Sequence, residues 1–222
     1  MNNKLDISAT DALQRLKAGN ERFLRGEAHL GGLPRETLAE LARGQQPFAT
    51  ILGCSDSRVP PEWIFDVGLG ELFVIRVAGN VLSPEIAGSI QYAVAHLQTP
   101  LLMVLGHEGC GAIQAALETK YQGVQQHSRI QLLVDTILPA LAGLGSQLPP
   151  LTLAVESNVR WTVRTILATP EGQKRLAEGR VKIIGAIYEI ETGRVRFLDN
   201  EYPEPCGNIS CQMEKYRQTG LE

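Results

Sequence analysis

Two short segments of this chain share one layout, and together they dictate a sheet with metal ligands at its strand exits. Phe48-Ala49-Thr50-Ile51-Leu52-Gly53 runs into Cys54-Ser55-Asp56-Ser57-Arg58, and Leu101-Leu102-Met103-Val104-Leu105-Gly106 runs into His107-Glu108-Gly109-Cys110. Each is an apolar run of strand length ending in glycine, followed at once by side chains that ligate metals. Continuous apolar strands fit burial on both faces, as in a parallel sheet covered by helices. In such sheets ligands gather at the carboxyl ends of strands, where the crossovers diverge. Cys54 and His107 both fall at such ends.

The rest of the chain agrees with an α/β domain. Ser8-Ala9-Thr10-Asp11 reads as a capping box, and apolar residues at helical spacing behind it predict an amphipathic helix over 9–25. Residues 26–34 read as a loop, and a short helix over 35–43 leads to a first strand over 47–53. Further strands are expected over 71–77, 99–105, 181–189 and 195–198, the last two joined by the hairpin turn Glu191-Thr192-Gly193-Arg194. Helices are expected from Ser83-Pro84 to about residue 97, then over 111–119, 128–142, 152–168 and 171–178. The fold class is therefore α/β: a mostly parallel central sheet flanked by helices, with an antiparallel edge hairpin and an N-terminal helical arm. At 222 residues one domain suffices. It divides into the arm (1–45), an α/β zinc core (46–200) and a polar C-terminal tail (201–222). The amphipathic first helix looks detached from the core, an arrangement that suits packing on a partner subunit.

Composition excludes several classes. Net charge is −3 with no basic run, so no nucleic-acid partner is expected. No apolar stretch reaches the roughly 20 residues that span a bilayer, so no membrane partner is expected either. Residues 1–25 mix charges with apolar positions and do not form a signal peptide. A cytoplasmic protein is expected, or a periplasmic one if a leader is cleaved ahead of this sequence. Of four cysteines, Cys54 and Cys110 open the two segments above, and their placement favours a metal over a disulfide. Cys206 and Cys211 lie in the tail and leave free thiols, a local disulfide and a second metal site open.

Two thiols and one imidazole are a Zn²⁺ ligand set, with Asp or water as the fourth ligand. His107 and Cys110 are spaced i, i+3 across a glycine turn, so one loop presents both, and Cys54 arrives from a distant segment. Cys110 also opens a helix, whose dipole favours thiolate. Three protein ligands and one open position describe a catalytic zinc, whereas a closed site would only staple the fold. Bound water would be acidified toward roughly neutral pH. Two thiolates cancel the metal's charge, so help is expected from neighbouring groups. Asp56 is placed to accept a hydrogen bond from that water, and Arg58 to hold Asp56 through a bidentate pair and keep it off the metal.

Cys54-Ser55-Asp56-Ser57-Arg58 with His107-Glu108-Gly109-Cys110-Gly111 resembles the β-class carbonic anhydrases, whose pattern is C-x-D-x-R followed by H-x-x-C. The likeness extends to Gly70–Arg76, Gln91–Val94 and Gly185–Tyr188, over roughly residues 9–200. It implies reversible hydration of CO₂ to bicarbonate by zinc-bound hydroxide, with one Zn²⁺ per subunit. By that resemblance Cys54, His107 and Cys110 match the zinc ligands, and Asp56 and Arg58 the catalytic pair beside them. Gln45 matches a residue that hydrogen-bonds substrate, Phe73, Ala78 and Tyr92 match residues of the apolar substrate cleft, and Gly111 would let its backbone approach the site. Some members have a closed state with Asp on the metal and a bicarbonate pocket of Trp, Arg and Tyr. Arg76 and Tyr188 match the last two, but Ile51 stands where the Trp would be, so the open form is expected. The family's cleft lies at a subunit boundary, which implies a homodimer or a dimer of dimers. The same scaffold also suits a COS or CS₂ hydrolase, and a non-catalytic zinc or bicarbonate-binding protein is the third reading.

His96 and His127 read as structural or exposed rather than as proton shuttles, and His29 has no legible role. Trp63 and Trp161 read as packing residues, and Ser55 and Ser57 as turn residues. Gly68-x-Gly70 lacks the third glycine of a dinucleotide loop.

Overall fold

A computed structural model describes residues 7–29 and 35–199; Cys206 and Cys211 lie outside the described residues. Strand β1 (Ala49–Gly53) runs between β2 (Leu72–Arg76) and β3 (Leu101–His107), followed by β4 (Lys182–Tyr188) and β5 (Val195–Phe197). The order across the sheet is β2-β1-β3-β4-β5. All pairings are parallel except β4 with β5, which is antiparallel as the hairpin signal required. From β1 the chain moves to β2 on one side, and β3 then enters on the other. That divergence creates a crevice at the carboxyl ends of β1 and β3.

The apolar runs are strands because both of their faces are covered. Every residue of β1 and β3 is buried. Helices α1 (Ala9–Leu24), α2 (Arg35–Leu41), α3 (Pro61–Ile64), α4 (Pro84–Ala95), α5 (Gly111–Gln122), α6 (Ser128–Ile137), α7 (Leu151–Ala168) and α8 (Pro170–Ala177) connect and flank the strands. Leu52, Leu102 and Val104 point into one core with Ile113 and Leu117 of α5 and Val155 and Val159 of α7. Ile51, Leu101, Met103 and Leu105, on the opposite face of the pleat, pack with Ala12 and Leu16 of α1 and Ile64 of α3. Each fully buried Leu or Ile contributes about 1.5–3 kcal/mol, so these two layers supply most of the driving force. Gly106 permits the closest approach of sheet and helix: a Cβ there would lie 2.5 Å from Val159 Cγ2.

Capping follows the sequence signals. Ser8 Oγ accepts from the Asp11 N–H at 3.1 Å and Ser83 Oγ from the Ile86 N–H at 3.4 Å. Four expectations need correction. The first helix is not detached: its Leu16 is fully buried against the chain's own sheet. Asn20 fastens it there, donating to the carbonyls of Ile64 at 3.1 Å and Gly193 at 2.9 Å and accepting from Val195 N–H at 2.9 Å. The helix expected over 128–142 ends at Ile137 and continues as a 3₁₀ segment over Leu138–Leu144. Pro139 lacks the N–H that an α-helix would use and crowds the carbonyl four residues back. Trp63, read as a packing residue, is 55% exposed on α3. His107 is the last residue of β3 rather than a residue beyond it. Among the described residues no helix is long and apolar enough to cross a membrane.

Candidate metal centre

At the end of β3, just beyond β1 and at the start of α5, Cys54, His107 and Cys110 come together. Their ligand atoms all lie within 4.8 Å of one another, and all three residues are buried. The two sulfurs are 4.0 Å apart. Zn–S bonds near 2.3 Å in a tetrahedron place two sulfurs about 3.8 Å apart, so the pair fits one ion. His107 supplies the most telling sign. Its Nδ1 donates to the Glu108 carbonyl at 2.8 Å, which in the neutral ring leaves Nε2 with its lone pair. That Nε2 is buried and has no hydrogen-bond partner among the described residues. A buried lone pair facing two sulfurs suits a metal bond.

Electrostatics of the group follow from its crowding. Both thiols are free. The Cys54 thiol is held far below its ordinary range, first by the hydrogen bond from Cys110, with smaller help from His107 and the N–H groups of Asp56 and Gly79, against burial. Cys110 is pushed up by that same contact and by burial. The helix start expected to favour a Cys110 thiolate does act, through the N–H groups of Ile113 and Ala112, but a thiolate 4.0 Å away outweighs it. The pair thus favours a single thiolate, and a bound dication would draw off the second proton. Burial pushes the His107 imidazole down, but the Cys54 thiolate beside it wins and holds it above its ordinary value.

Asp56 stands at the rim. Arg58 Nε donates to its Oδ1 at 2.9 Å, Nη2 to its Oδ2 at 2.8 Å, and the Arg58 backbone N–H to Oδ1 at 2.9 Å. Arg58 Nη2 also reaches the Gly109 carbonyl at 3.3 Å. The guanidinium holds the Asp56 carboxyl well below the usual carboxylate range. Asp56 Oδ2 lies 3.9 Å from His107 Nε2, so it faces the ligands while committed to Arg58.

Two contacts escaped the sequence reading. Arg76 donates from Nε to the Cys54 carbonyl at 2.9 Å and from Nη2 to the Asp56 carbonyl at 2.6 Å, pinning the loop that carries both. Its only sequence signal was the family position; the contact depends on the register that pairs Gly53 with Arg76. Gly79, in a 3₁₀ turn over Ala78–Asn80, donates its N–H to Cys54 Sγ at 3.4 Å.

The remaining expected residues divide in two. Ala78 opens that turn, and Gly111 is the first residue of α5 directly after Cys110. Nothing crowds Gly111: a Cβ there meets no heavy atom within 4 Å, so close packing in this chain does not explain the glycine. Gln45, Phe73 and Tyr92 are not brought to the group. Gln45 is exposed ahead of β1, at the end of the strand opposite Cys54. Phe73 pairs in register with Thr50, four residues before Cys54, about 13 Å back along the strand. Tyr92 on α4 is 47% exposed, with its ring 6.0 Å from that of Phe73 and 5.2 Å from that of His96. Ile51 and Tyr188 are buried in one core layer. His29 sits on Asp66, with its backbone N–H 2.6 Å from Oδ1.

Fold and site define a class: an α/β protein with a Cys–His–Cys metal-binding group at the switch point of a mostly parallel sheet. The family model described as carbonic anhydrase matches residues 49–195. Carbonic anhydrase 2 of Mycobacterium tuberculosis is 39% identical over 191 residues, covering 85% of this chain and 92% of the relative. The carbonic anhydrase of Mycolicibacterium smegmatis is 37% identical over 186 residues, covering 83% and 90%. Among solved structures, that of the β-carbonic anhydrase CcaA superposes with a TM-score of 0.65 at 30% identity, covering 84% of this chain and 95% of that one. The chain belongs to the β-class carbonic anhydrases, a zinc-dependent family of carbonate dehydratases.

Proposed function

We propose that this protein hydrates CO₂ reversibly to bicarbonate and a proton, with one Zn²⁺ per subunit held by Cys54, His107 and Cys110. The observation that carries this reading is the Arg58 fork on Asp56, which keeps the carboxylate ionised and engaged while three buried ligand atoms face one point. Held by these three residues, Zn²⁺ would acidify a bound water toward neutral pH and so supply a nucleophile. Asp56 accepts a hydrogen bond from the attacking group and orients it; Arg58 holds Asp56 in place and off the metal. This supports the open form, in which Asp56 stays paired with Arg58 rather than on the metal. Arg76 fixes the Cys54 and Asp56 carbonyls and so keeps ligand and orienting group in one frame.

Gln45, Phe73 and Tyr92 act, in this reading, from a second copy of the chain. Phe73 lies on the edge strand β2 and Tyr92 on the half-exposed apolar helix α4, a surface suited to self-association. A homodimer at least is therefore proposed. Free thiols serving as ligands suit a reducing compartment, and we assign the protein to the cytoplasm.

Stopped-flow CO₂ hydration by the zinc-loaded protein and by Asp56→Asn tests the proposal. Wild type should be active at alkaline pH, and the variant should retain zinc with a rate about 100-fold lower. Zinc-replete wild type without activity would overturn the reading.

A further inference from the structure

One buried amide outside the metal-binding group is tied to it in two steps. Asn158 lies midway along α7 and is 1% exposed. Its neighbours on the buried face of that helix include Val155, Val159 and Thr162. Asn158 Nδ2 donates to the Gly79 carbonyl at 2.8 Å, and the Gly79 N–H donates in turn to Cys54 Sγ at 3.4 Å. A carbonyl can only accept, so the amide's orientation is fixed.

The price of this arrangement is visible. Asn158 Oδ1 is buried with no hydrogen-bond partner among the described residues. Such an orphan costs about 1–3 kcal/mol. Leucine, of similar size and in keeping with the valines around it, would avoid that cost. What leucine would lose is the bond to Gly79. The turn that bond supports is an unusual one. Gly79 has φ 68° and Asn80 φ 44°, two left-handed residues in succession. A Cβ on Gly79 would come within 3.1 Å of Ile137 Cδ1, so both backbone and space demand glycine. A flexible peptide at that point needs an outside anchor to keep its N–H on a sulfur.

We propose that Asn158 is a positioning residue for the metal centre: by holding the Gly79 carbonyl, it aims the Gly79 N–H at the Cys54 thiolate and limits the charge that sulfur gives to the metal. The consequence is chemical. A ligand set with two thiolates neutralises a dication and weakens its hold on the electrons of bound water. A hydrogen bond to one sulfur withdraws part of that donation and restores Lewis acidity. The inference rests on Cys54 being a metal ligand.

The test uses the protein loaded with Co²⁺ and reads the thiolate-to-metal charge-transfer band. In Asn158→Leu and Asn158→Ala the sulfur loses one of its N–H donors, that of Gly79, and holds its electrons less tightly, so the band should move to lower energy. Thr162→Val, which removes a different buried polar group from α7, should leave the band unmoved. A band unchanged in folded Asn158 variants, or displaced equally by Thr162→Val, overturns the proposal and leaves the ligand assignment intact. Wild type with no thiolate band overturns both. Wild type loaded with an NMR-active cadmium isotope gives a reading that needs no variant to fold. The Gly79 amide proton should show scalar coupling to the metal through sulfur, and its absence overturns the proposal.

Discussion

A second sulfur, an imidazole and two backbone N–H groups converge on Cys54. Cys54→Ser should therefore lose zinc and CO₂ hydration together, which metal analysis beside a rate assay would establish; full zinc occupancy in the variant would remove Cys54 from the ligand set. The five residues of chemistry at this site were legible because each pair of partners is close in sequence. Cys54, Asp56 and Arg58 alternate along one loop, and His107 and Cys110 flank one turn. Arg76 and Asn158 were not legible in these roles. Arg76 meets Cys54 through strand register, and Asn158 meets Gly79 across 79 positions of chain. Neither relation has a local signature, and a lone amide on an apolar helix face reads equally well as a tolerated polar residue.

At the scale of elements, glycine and asparagine set how close the layers sit. Gly106→Ala would push a methyl against Val159, whose branched side chain has little room to yield. The expected loss is about 1–3 kcal/mol in chemical denaturation, from overpacking. Asn20→Ala would leave the carbonyls of Ile64 and Gly193 and the N–H of Val195 without their partner. Roughly 3 kcal/mol or more is expected from those three orphaned groups, readable as a lowered denaturant midpoint with unchanged slope. The strands and the longer helices, with their order, were readable from hydrophobic period, caps and turn residues; the four-residue α3 and the 3₁₀ turn over Ala78–Asn80 were too short to leave a period. The break in the helix after Ile137 was also written in the sequence, at Pro139, yet the apolar spacing through Leu141 masks it. The place of α1 was not readable: an amphipathic stripe says that one face is covered, not by what.

For the whole molecule, acid stability should depend on Asp66. Burial alone would raise its pKa, but Arg22 and the N–H of His29 outweigh it and hold the carboxyl below its ordinary value. A folded-state pKa below the unfolded one gives stability that is present above the usual carboxylate range and is lost as pH falls through the folded value. Denaturation from neutral pH down to about pH 3 should therefore show a steeper loss in wild type than in Asp66→Asn. An identical pH dependence would rule out this linkage. Sedimentation tests the assembly: a mass near the 24.2 kDa of one chain at micromolar concentration would exclude the dimer, and with it the supply of Gln45, Phe73 and Tyr92 from a second copy.

The Asn20 amide also bears on synthesis. Its partners at Gly193 and Val195 leave the ribosome long after the helix that carries it. Part of the docking site of α1 is thus missing until the chain has been made through Val195. Stalled nascent chains that stop short of Gly193 should be cut by protease within α1, and full-length released chains should resist. A chain built this way delays its own closure until the last strand arrives.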